Sequence, residues 1–109
     1  MTDDTFTYEG TRTPFHGLTV LAINDRTGWR EYLPPRSDLV NHSPDGFECG
    51  YGGSGPLQLA FALVYHATGG NLEEALATYK RFCARVVAHL PKNAWVLEQD
   101  TILRFSRRN

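Results

Sequence analysis

A nearly uninterrupted apolar segment constrains this fold more than any other feature of the sequence. The run LQLAFALVYHA, from Leu57 to Ala67, is interrupted only by Gln58 and His66. A helix over these residues would be apolar on most sides, so it must also be buried on most sides. The run is well short of the roughly 20 residues that a bilayer-spanning helix requires. It therefore predicts the central core helix of a globular domain, and no membrane-spanning segment is expected.

Flanking residues predict where this helix and a second one begin and end. The first helix is expected to begin at Ser54 or Gly55 and to end at Gly69-Gly70. Asn71, followed three residues later by Glu74, predicts the capped start of the second helix, which Pro91 ends. Its predicted apolar stripe consists of Leu72, Ala75, Leu76, Tyr79, Phe82, Cys83, Val86, Val87 and Leu90. Its predicted solvent face consists of Thr78, Lys80, Arg81, Arg85 and His89.

Alternation and branched residues predict five strands, at residues 5–13, 18–23, 29–33, 46–51 and 94–98. In the fourth, Phe47, Cys49 and Tyr51 are expected to share one face. In the last, Trp95 and Leu97 are expected on one side, and a short turn follows. The predicted fold class is α+β, with a small antiparallel sheet of four to five strands packed with two helices. Residues 1–109 are expected to form a single domain.

The charge balance restricts the partners of this chain. Eleven basic residues against 12 acidic ones give a net charge of −1, so direct binding of nucleic acid is not predicted. The charges are unevenly distributed along the chain. Residues 1–50 hold eight acids against four arginines, giving −4, and residues 51–109 hold seven bases against four acids, giving +3. We expect the acidic half to contact a basic protein. The candidate contacts are Glu31, Asp38, Asp45 and Glu48.

The segment GYGGSG, just before the first helix, imitates two phosphate-binding motifs. Gly50, Gly52 and Gly55 have the spacing G-x-G-x-x-G, and the segment also has the glycine spacing of a P-loop. Pro56 and Leu57 stand where a P-loop needs Lys and Ser or Thr, so that interpretation fails. A dinucleotide fold needs a following parallel strand that ends in an acid, whereas a second helix is predicted here.

Two interpretations of this loop remain open. Small residues could let the helix pack closely on the sheet, or free N–H groups near the helix start could hold a small anion or a nucleotide phosphate. The loop consists of Gly50, Gly52, Gly53, Ser54 and Gly55.

No catalytic residue, metal site or cofactor is predicted. Cys49 and Cys83 are too far apart for a C-x-x-C motif and are expected to be buried free thiols. A nucleophile–base pair of Cys49 with His42 conflicts with the predicted inward orientation of Cys49. His42, Asp45 and Glu48 form too unspecific a pattern for a metal site. The acidic start MTDDTFTYEG lacks the basic and apolar regions of a signal peptide, so a cytoplasmic protein is expected.

The segment NHSPDGFECGYGGSGPLQLAFAL, residues 41–63, together with VVA, LP and Trp95 further on, resembles a small family of unknown function found in bacteria, archaea and phages. Its members look like N-H-S-P-x-G-F-E-W-G-Y-G-G-S-G-P-x-Q-L-A-x-A-L. Cys49 departs from this pattern at a tryptophan position, which implies a packing role for Cys49. The resemblance implies no settled activity, and its occurrence in phages suggests an accessory or anti-defence role.

Three functions follow as hypotheses. The first is a non-catalytic protein that acts by protein–protein interaction, in its narrower form a phage-encoded stoichiometric inhibitor of a host defence system of the anti-CRISPR type. A host nucleic-acid-handling complex is then one candidate partner. The alternative is a small-anion or nucleotide-phosphate binder that uses the glycine loop. An enzyme is the third and weakest hypothesis, because no paired acid and base is recognisable.

Overall fold

A computed structural model describes residues 4–43 and 46–106 of the chain. Four antiparallel strands form one sheet in the order β3-β2-β1-β4. Strand β1 is central, since it pairs with β2 along its whole length and with β4 on its other side. The strands are β1 (Phe6–Thr13), β2 (Gly17–Asn24), β3 (Arg30–Tyr32) and β4 (Ala94–Glu98).

Three α-helices pack on one face of this sheet. They are α1 (Ser54–Ala67), α2 (Leu72–Arg85) and α3 (Gln99–Ser106), and a short 3₁₀ helix, Val87–His89, follows α2. The buried strand residues, Tyr8 and Val20 among them, point toward these helices and form one core with them. The expected α+β fold is confirmed. Within the described residues, no helix is long and apolar enough to cross a membrane.

Helix α1 is the core helix that its sequence predicts. It begins at Ser54, and most of its side chains are buried, including Leu59, Phe61 and Leu63 at 0% exposure. Gly69 and Gly70 follow its end with φ angles of 73° and 85°, a left-handed conformation that favours glycine. The helix therefore stops where the two glycines predict.

Helix α2 begins as predicted but ends earlier. The Asn71 side chain accepts a hydrogen bond from the backbone N–H of Glu74 at 3.1 Å, which caps the first turn. The helix ends at Arg85, well before Pro91, because the 3₁₀ turn redirects the chain and buries Val87. The predicted faces are also partly wrong: Thr78 is buried, and Leu76 is 49% exposed. Fewer side chains of α2 reach the core than the predicted apolar stripe contains, since Leu76 and Leu72 remain exposed.

The predicted strand at 46–51 is wrong. Phe47 forms only an isolated bridge with Leu18, and Tyr51 is 45% exposed while Cys49 is fully buried. The backbone leaves the extended region at Gly50, whose φ is +85°, and its N–H donates to the carbonyl of Val87 at 3.0 Å. The chain therefore turns away from the sheet before α1, and β4 is the fourth strand. The predicted terminal turn is a third helix, α3.

Strands β1 and β4 approach each other closely at Gly10. A Cβ atom at Gly10 would lie 2.2 Å from Cε2 of Trp95, because the indole ring covers the backbone there. Trp95 Nε1 is buried, and no hydrogen-bond partner is found for it among residues 4–43 and 46–106. Only glycine fits under this ring without displacing it.

One side chain of the core helix, that of Gln58, forms four hydrogen bonds with the long connection between β3 and α1. This residue is fully buried. Its Oε1 accepts hydrogen bonds from the backbone N–H groups of His42 at 2.7 Å and Ser43 at 3.3 Å. Its Nε2 donates to the carbonyls of Pro35 at 2.7 Å and Val40 at 2.8 Å. The amide is thus fully satisfied by four backbone groups of the connection.

Replacing Gln58 with Met should therefore destabilise the fold, although Met has a similar size. The substitution leaves four backbone donors and acceptors around a fully buried side chain without their partner, so we expect the free energy of unfolding to fall by about 2–4 kcal/mol. Urea denaturation followed by circular dichroism measures this loss. Glu73→Ala, an exposed change in the first turn of α2, is the control. Unchanged stability of Gln58→Met would contradict the anchoring role of the amide.

Candidate functional site

One face of the sheet carries no helix in the described part of the chain, and we name it the open face. Side chains alternate between the two faces of a strand, and the pairing register sets which of them lie side by side. Tyr32 is 72% exposed and Val96 is 62% exposed on this face. The open face consists of Thr7, Glu9, Thr11, Thr13, Thr19, Leu21, Ile23, Arg30, Tyr32, Ala94, Val96 and Glu98.

An apolar row crosses the open face from one edge of the sheet to the other. The register places Val96, Glu9, Leu21 and Tyr32 next to each other on successive strands. Glu9 interrupts the row, and its Oε1 lies 3.0 Å from Nη2 of Arg30. Both ionic side chains are substantially exposed, at 38% and 52%, so this pair adds little stability. The row therefore exposes apolar side chains to water, and a partner that buried them would gain the hydrophobic contribution of that burial.

Acidic groups border the open face at one end. The Asp25 carboxylate accepts hydrogen bonds from the hydroxyl of Thr5 at 2.9 Å and that of Thr7 at 2.7 Å. It lines a cleft of about 400 Å³ together with Glu98 and Asp100. Within residues 4–43 and 46–106, no group of His, Cys, Asp and Glu side chains is arranged to hold a metal ion. The border therefore contributes negative charge to the surface beside the open face.

The acidic residues predicted as contacts have different surroundings in the described part of the chain. Glu31 lies exposed on β3, with the side-chain direction opposite to that of Tyr32. Asp38 accepts two hydrogen bonds from Arg36, at 3.1 and 2.9 Å, and this contact lowers the pKa of Asp38. Glu48 is paired elsewhere, and Asp45 lies outside the described residues. Asp38 and Glu48 are therefore each already paired with an arginine, Arg36 and Arg12 respectively.

Two glycines of the loop are required by close contacts. A Cβ atom at Gly50 would lie 2.7 Å from Cγ of Lys92, and the φ of +85° already favours glycine. A Cβ atom at Gly55 would lie 2.7 Å from Cβ of Glu48. At Gly52, no atom of the described residues would lie within 4 Å. Gly50 and Gly55 thus serve packing, while Gly52 leaves room for a side chain.

The charged side chains around this loop, those of Glu48, Arg12 and Lys92, already have partners within the protein. Glu48 packs against Gly55, and its two carboxylate oxygens accept hydrogen bonds from Arg12 at 2.7 and 3.1 Å. This hydrogen-bonded contact with Arg12 lowers the pKa of Glu48. The ammonium of Lys92 lies 5.8 Å from the ring centroid of Tyr51. A carboxylate side chain beside the first turn of α1 suits the helix dipole and disfavours an additional anion there.

Sequence reasoning missed both of these basic residues. Arg12 belongs to β1 and Lys92 precedes β4, so only the tertiary fold brings them to the loop. No local pattern in the sequence could have identified them.

The cysteine and histidine considered as a nucleophile and its base are not together. Cys49 is fully buried, and its Sγ donates to the carbonyl of Pro91 at 3.6 Å. His42 instead lies beside α2, with Nε2 2.7 Å from the hydroxyl oxygen of Tyr79. Cys83 is also buried, which raises the pKa of its thiol. The expectation of two buried free thiols is confirmed.

A small apolar pocket that the sequence did not reveal lies at the end of α1. Its volume is about 280 Å³, and Phe6 and Tyr65 contribute to its walls. His66 lines it, with Nδ1 2.8 Å from the hydroxyl oxygen of the buried Tyr8. Burial lowers the pKa of His66, so its ring is expected to be neutral at pH 7. Arg36 closes the rim, with its guanidinium 5.0 Å from the Tyr65 ring centroid.

The two interpretations of the glycine loop separate in one thermal-shift experiment. Gly55→Ala should lower the free energy of unfolding by roughly 1–3 kcal/mol, because the added methyl group collides with Glu48. Gly52→Ala, where space is open, is the matched control and should change the melting temperature little. We expect phosphate, sulfate and nucleotides to leave the wild-type melting temperature unchanged. A ligand at about 100 times its Kd would add about 2.7 kcal/mol, so a saturable rise would favour the anion-binding hypothesis.

Comparison with known proteins places this fold in a family. No curated protein and no solved structure matches the chain. Residues 8–108, from β1 through α3, match the family described as "Family of unknown function (DUF6166)". The match extends beyond the segment whose residues carry the resemblance, and it confirms the expected membership of a family without an assigned function. The chain belongs to the DUF6166 family.

Proposed function

We propose that this chain is a non-catalytic protein-binding domain and that the open face of its sheet is the binding surface. The observation that carries the proposal is the row of Tyr32, Leu21 and Val96 on a sheet face opposite the helices, in which Tyr32 and Val96 are exposed and Leu21 is half-buried. Aromatic and aliphatic side chains at the centre of a surface supply most of the binding energy in protein interfaces. The strands hold this row in fixed register, so a partner would meet a preorganised surface.

The size of the open face suits a protein better than a small molecule. Ligand sites are usually concave, whereas this face is formed by four adjacent strands. It also carries threonines beside the apolar row, of which Thr11 is exposed. Threonine hydroxyls can exchange hydrogen bonds with a partner and cost little when they remain in water. The face therefore offers an apolar centre with a polar rim, which is the usual composition of a protein interface.

The charges on and beside this face favour a basic partner. Glu9 and Glu98 lie on the face, Asp25 lies at its border, and Arg30 contributes the positive charge. A partner with lysine or arginine around an apolar contact would complement this distribution. A host nucleic-acid-handling complex has such a surface, so it remains the candidate partner. Binding should weaken as the salt concentration rises past about 0.15 M, where the screening length is about 8 Å.

The open face is tested by removing its exposed aromatic ring. Partners captured by the tagged chain are identified and purified, and calorimetry then measures their affinity for each variant. Tyr32→Ser should weaken binding of a true partner at least about tenfold, which corresponds to about 1.4 kcal/mol. Phe15→Ser is the matched control, since Phe15 is an aromatic residue in the β1–β2 turn that is 91% exposed.

Circular dichroism and the melting temperature are used to check that both variants fold. Equal affinity of Tyr32→Ser and the wild type for every purified partner would contradict the proposal. So would a larger loss in Phe15→Ser than in Tyr32→Ser.

The narrower hypothesis is that the partner belongs to a host defence system and that the chain acts in the cytoplasm as its phage-encoded stoichiometric inhibitor. It is supported only by the resemblance of residues 41–63 described above. A plaque assay tests it: expression of the chain should restore phage growth on a CRISPR-protected host, and Tyr32→Ser should restore less. Unchanged protection with the folded wild type would remove this hypothesis and leave the broader one to the affinity measurements.

A further inference from the structure

Strand β4 ends the sheet, and its outer edge is free in the described part of the chain. The backbone N–H of Arg12 donates to the carbonyl of Asn93 at 2.8 Å, which makes these two residues a hydrogen-bonded pair of the β1–β4 ladder. Hydrogen-bonded pairs alternate along an antiparallel ladder, so Trp95 and Leu97 also direct their backbone groups toward β1. Ala94, Val96 and Glu98 consequently direct theirs away from the sheet.

Most of these outward backbone groups have no partner within residues 4–43 and 46–106. No backbone or side-chain hydrogen bond joins Ala94 or Val96 to a loop or helix there. Glu98 directly precedes α3, and its carbonyl accepts the first hydrogen bond of that helix. All three residues are exposed. A row of unpaired donors and acceptors on an exposed strand is a template for another strand.

The two edges of the sheet differ in how well they resist such pairing. At the other edge, β3 has only three residues, exposes Arg30 and Glu31, and is soon followed by Pro34. Short length, charge and nearby proline are the usual protections of an edge strand. Strand β4 has the sequence AWVLE, with one charged residue and no proline. The edge formed by β4 is therefore the one that lacks these protections.

We propose that β4 pairs antiparallel with β4 of a second copy of this chain, around a two-fold axis at Val96. The outward N–H and C=O groups of Val96 then bond to those of the same residue in the second copy. Ala94 lies opposite Glu98 of the second copy, and the reverse holds on the other side of the axis. All six outward-facing residues of the two strands are paired, and the two sheets become one continuous sheet of eight strands.

The charges at the ends of β4 favour this antiparallel arrangement over a parallel one. The chain just before β4 carries Lys92, whereas its far end carries Glu98 and Asp100. Pairing around Val96 brings the basic end of one strand to the acidic end of the other, at both ends of the contact. No two like charges face each other across this register, so the edge is complementary to itself.

The contact is short, so the dimer should be weak. Stable interfaces bury about 1,200–2,000 Å², and five paired residues on each side bury less than that. We expect a Kd on the order of 10 µM, measured by sedimentation equilibrium over a concentration series.

Val96→Pro tests the backbone pairing directly. Proline removes the outward N–H of Val96 and no bond to β1, a position at which edge strands tolerate it. We expect Val96→Pro to be monomeric at about 100 µM and Val96→Thr, which keeps the N–H, to form the dimer. A monomeric wild type at this concentration would overturn the proposal. If the edge instead binds a strand of another protein, the wild type alone is monomeric and Val96→Pro loses that protein, which also overturns pairing between copies.

A disulfide test does not depend on whether Val96→Pro folds. In the proposed register, the Cα atoms of the two Val96 residues lie about 5.5 Å apart, within the range that a disulfide spans. Mild oxidation should therefore crosslink Val96→Cys into a dimer. Ala94 lies on the same exposed edge, but in this register the Ala94 residues of the two copies are about four residues, or roughly 13 Å, apart along the strand. Ala94→Cys should therefore crosslink at least tenfold more slowly. Equal rates for the two variants would show that the register is wrong.

The native Cys49 and Cys83 are buried, so they are not expected to compete in this reaction. This dimer goes beyond the proposed function and does not depend on it. Tyr32→Ser lies away from the β4 edge and should leave the dimer intact. Loss of the dimer in Tyr32→Ser would contradict pairing through β4.

Discussion

The buried side-chain amide of Gln58 joins helix α1 to the long connection that leads from the sheet to this helix. The sheet and α1 are regular elements, but the described residues of the long connection between them form no strand or helix. The only β-type pairing of these described residues is the single bridge between Phe47 and Leu18. Gln58 satisfies four backbone groups of that connection from inside the core. A buried polar network of this kind fixes one conformation when every member is paired. The same connection then brings Glu48 to Gly55 and Cys49 into the core, so the start of α1 depends on it.

The segment of residues 41–63 contributes to this same network at two places. The histidine and serine of NHSP donate backbone N–H groups to Gln58, which follows the glycine loop. His42 adds a side-chain contact with Tyr79 of α2 at 2.7 Å. Residues at both ends of the segment thus meet in one network, and Gly55 permits the close packing between them. These contacts of the segment serve the fold, and the proposed binding surface lies on other residues.

The sequence predicts the parts of the fold that are determined locally. The limits of α1, the cap of α2 and the burial of Trp95 and Leu97 all follow from glycines, an asparagine and alternation. Contacts between distant segments could not be predicted. The alternation at 47–51 favours a strand, yet Gly50 turns there because its N–H has a partner at Val87. The open face is equally non-local, since only the strand order places Tyr32 and Val96 on one surface. Likewise, the net charge of half the chain could not predict where Glu31, Asp38 and Glu48 lie or that Asp38 and Glu48 are paired with arginines.

The contact between Trp95 and Gly10 gives this protein an internal optical reporter. The chain has two tryptophans, and their surroundings differ: Trp95 is 7% exposed on the bare backbone of β1, and Trp29 is 69% exposed beside β3. An indole shielded from water emits at shorter wavelength than one in water. The two emissions therefore come from opposite edges of the sheet, one from the close contact on β1 and one from the solvent-exposed β2–β3 hairpin. Separation of β1 from β4 should shift the first emission to the red while the second stays constant, so loosening of this strand pair is visible without a label.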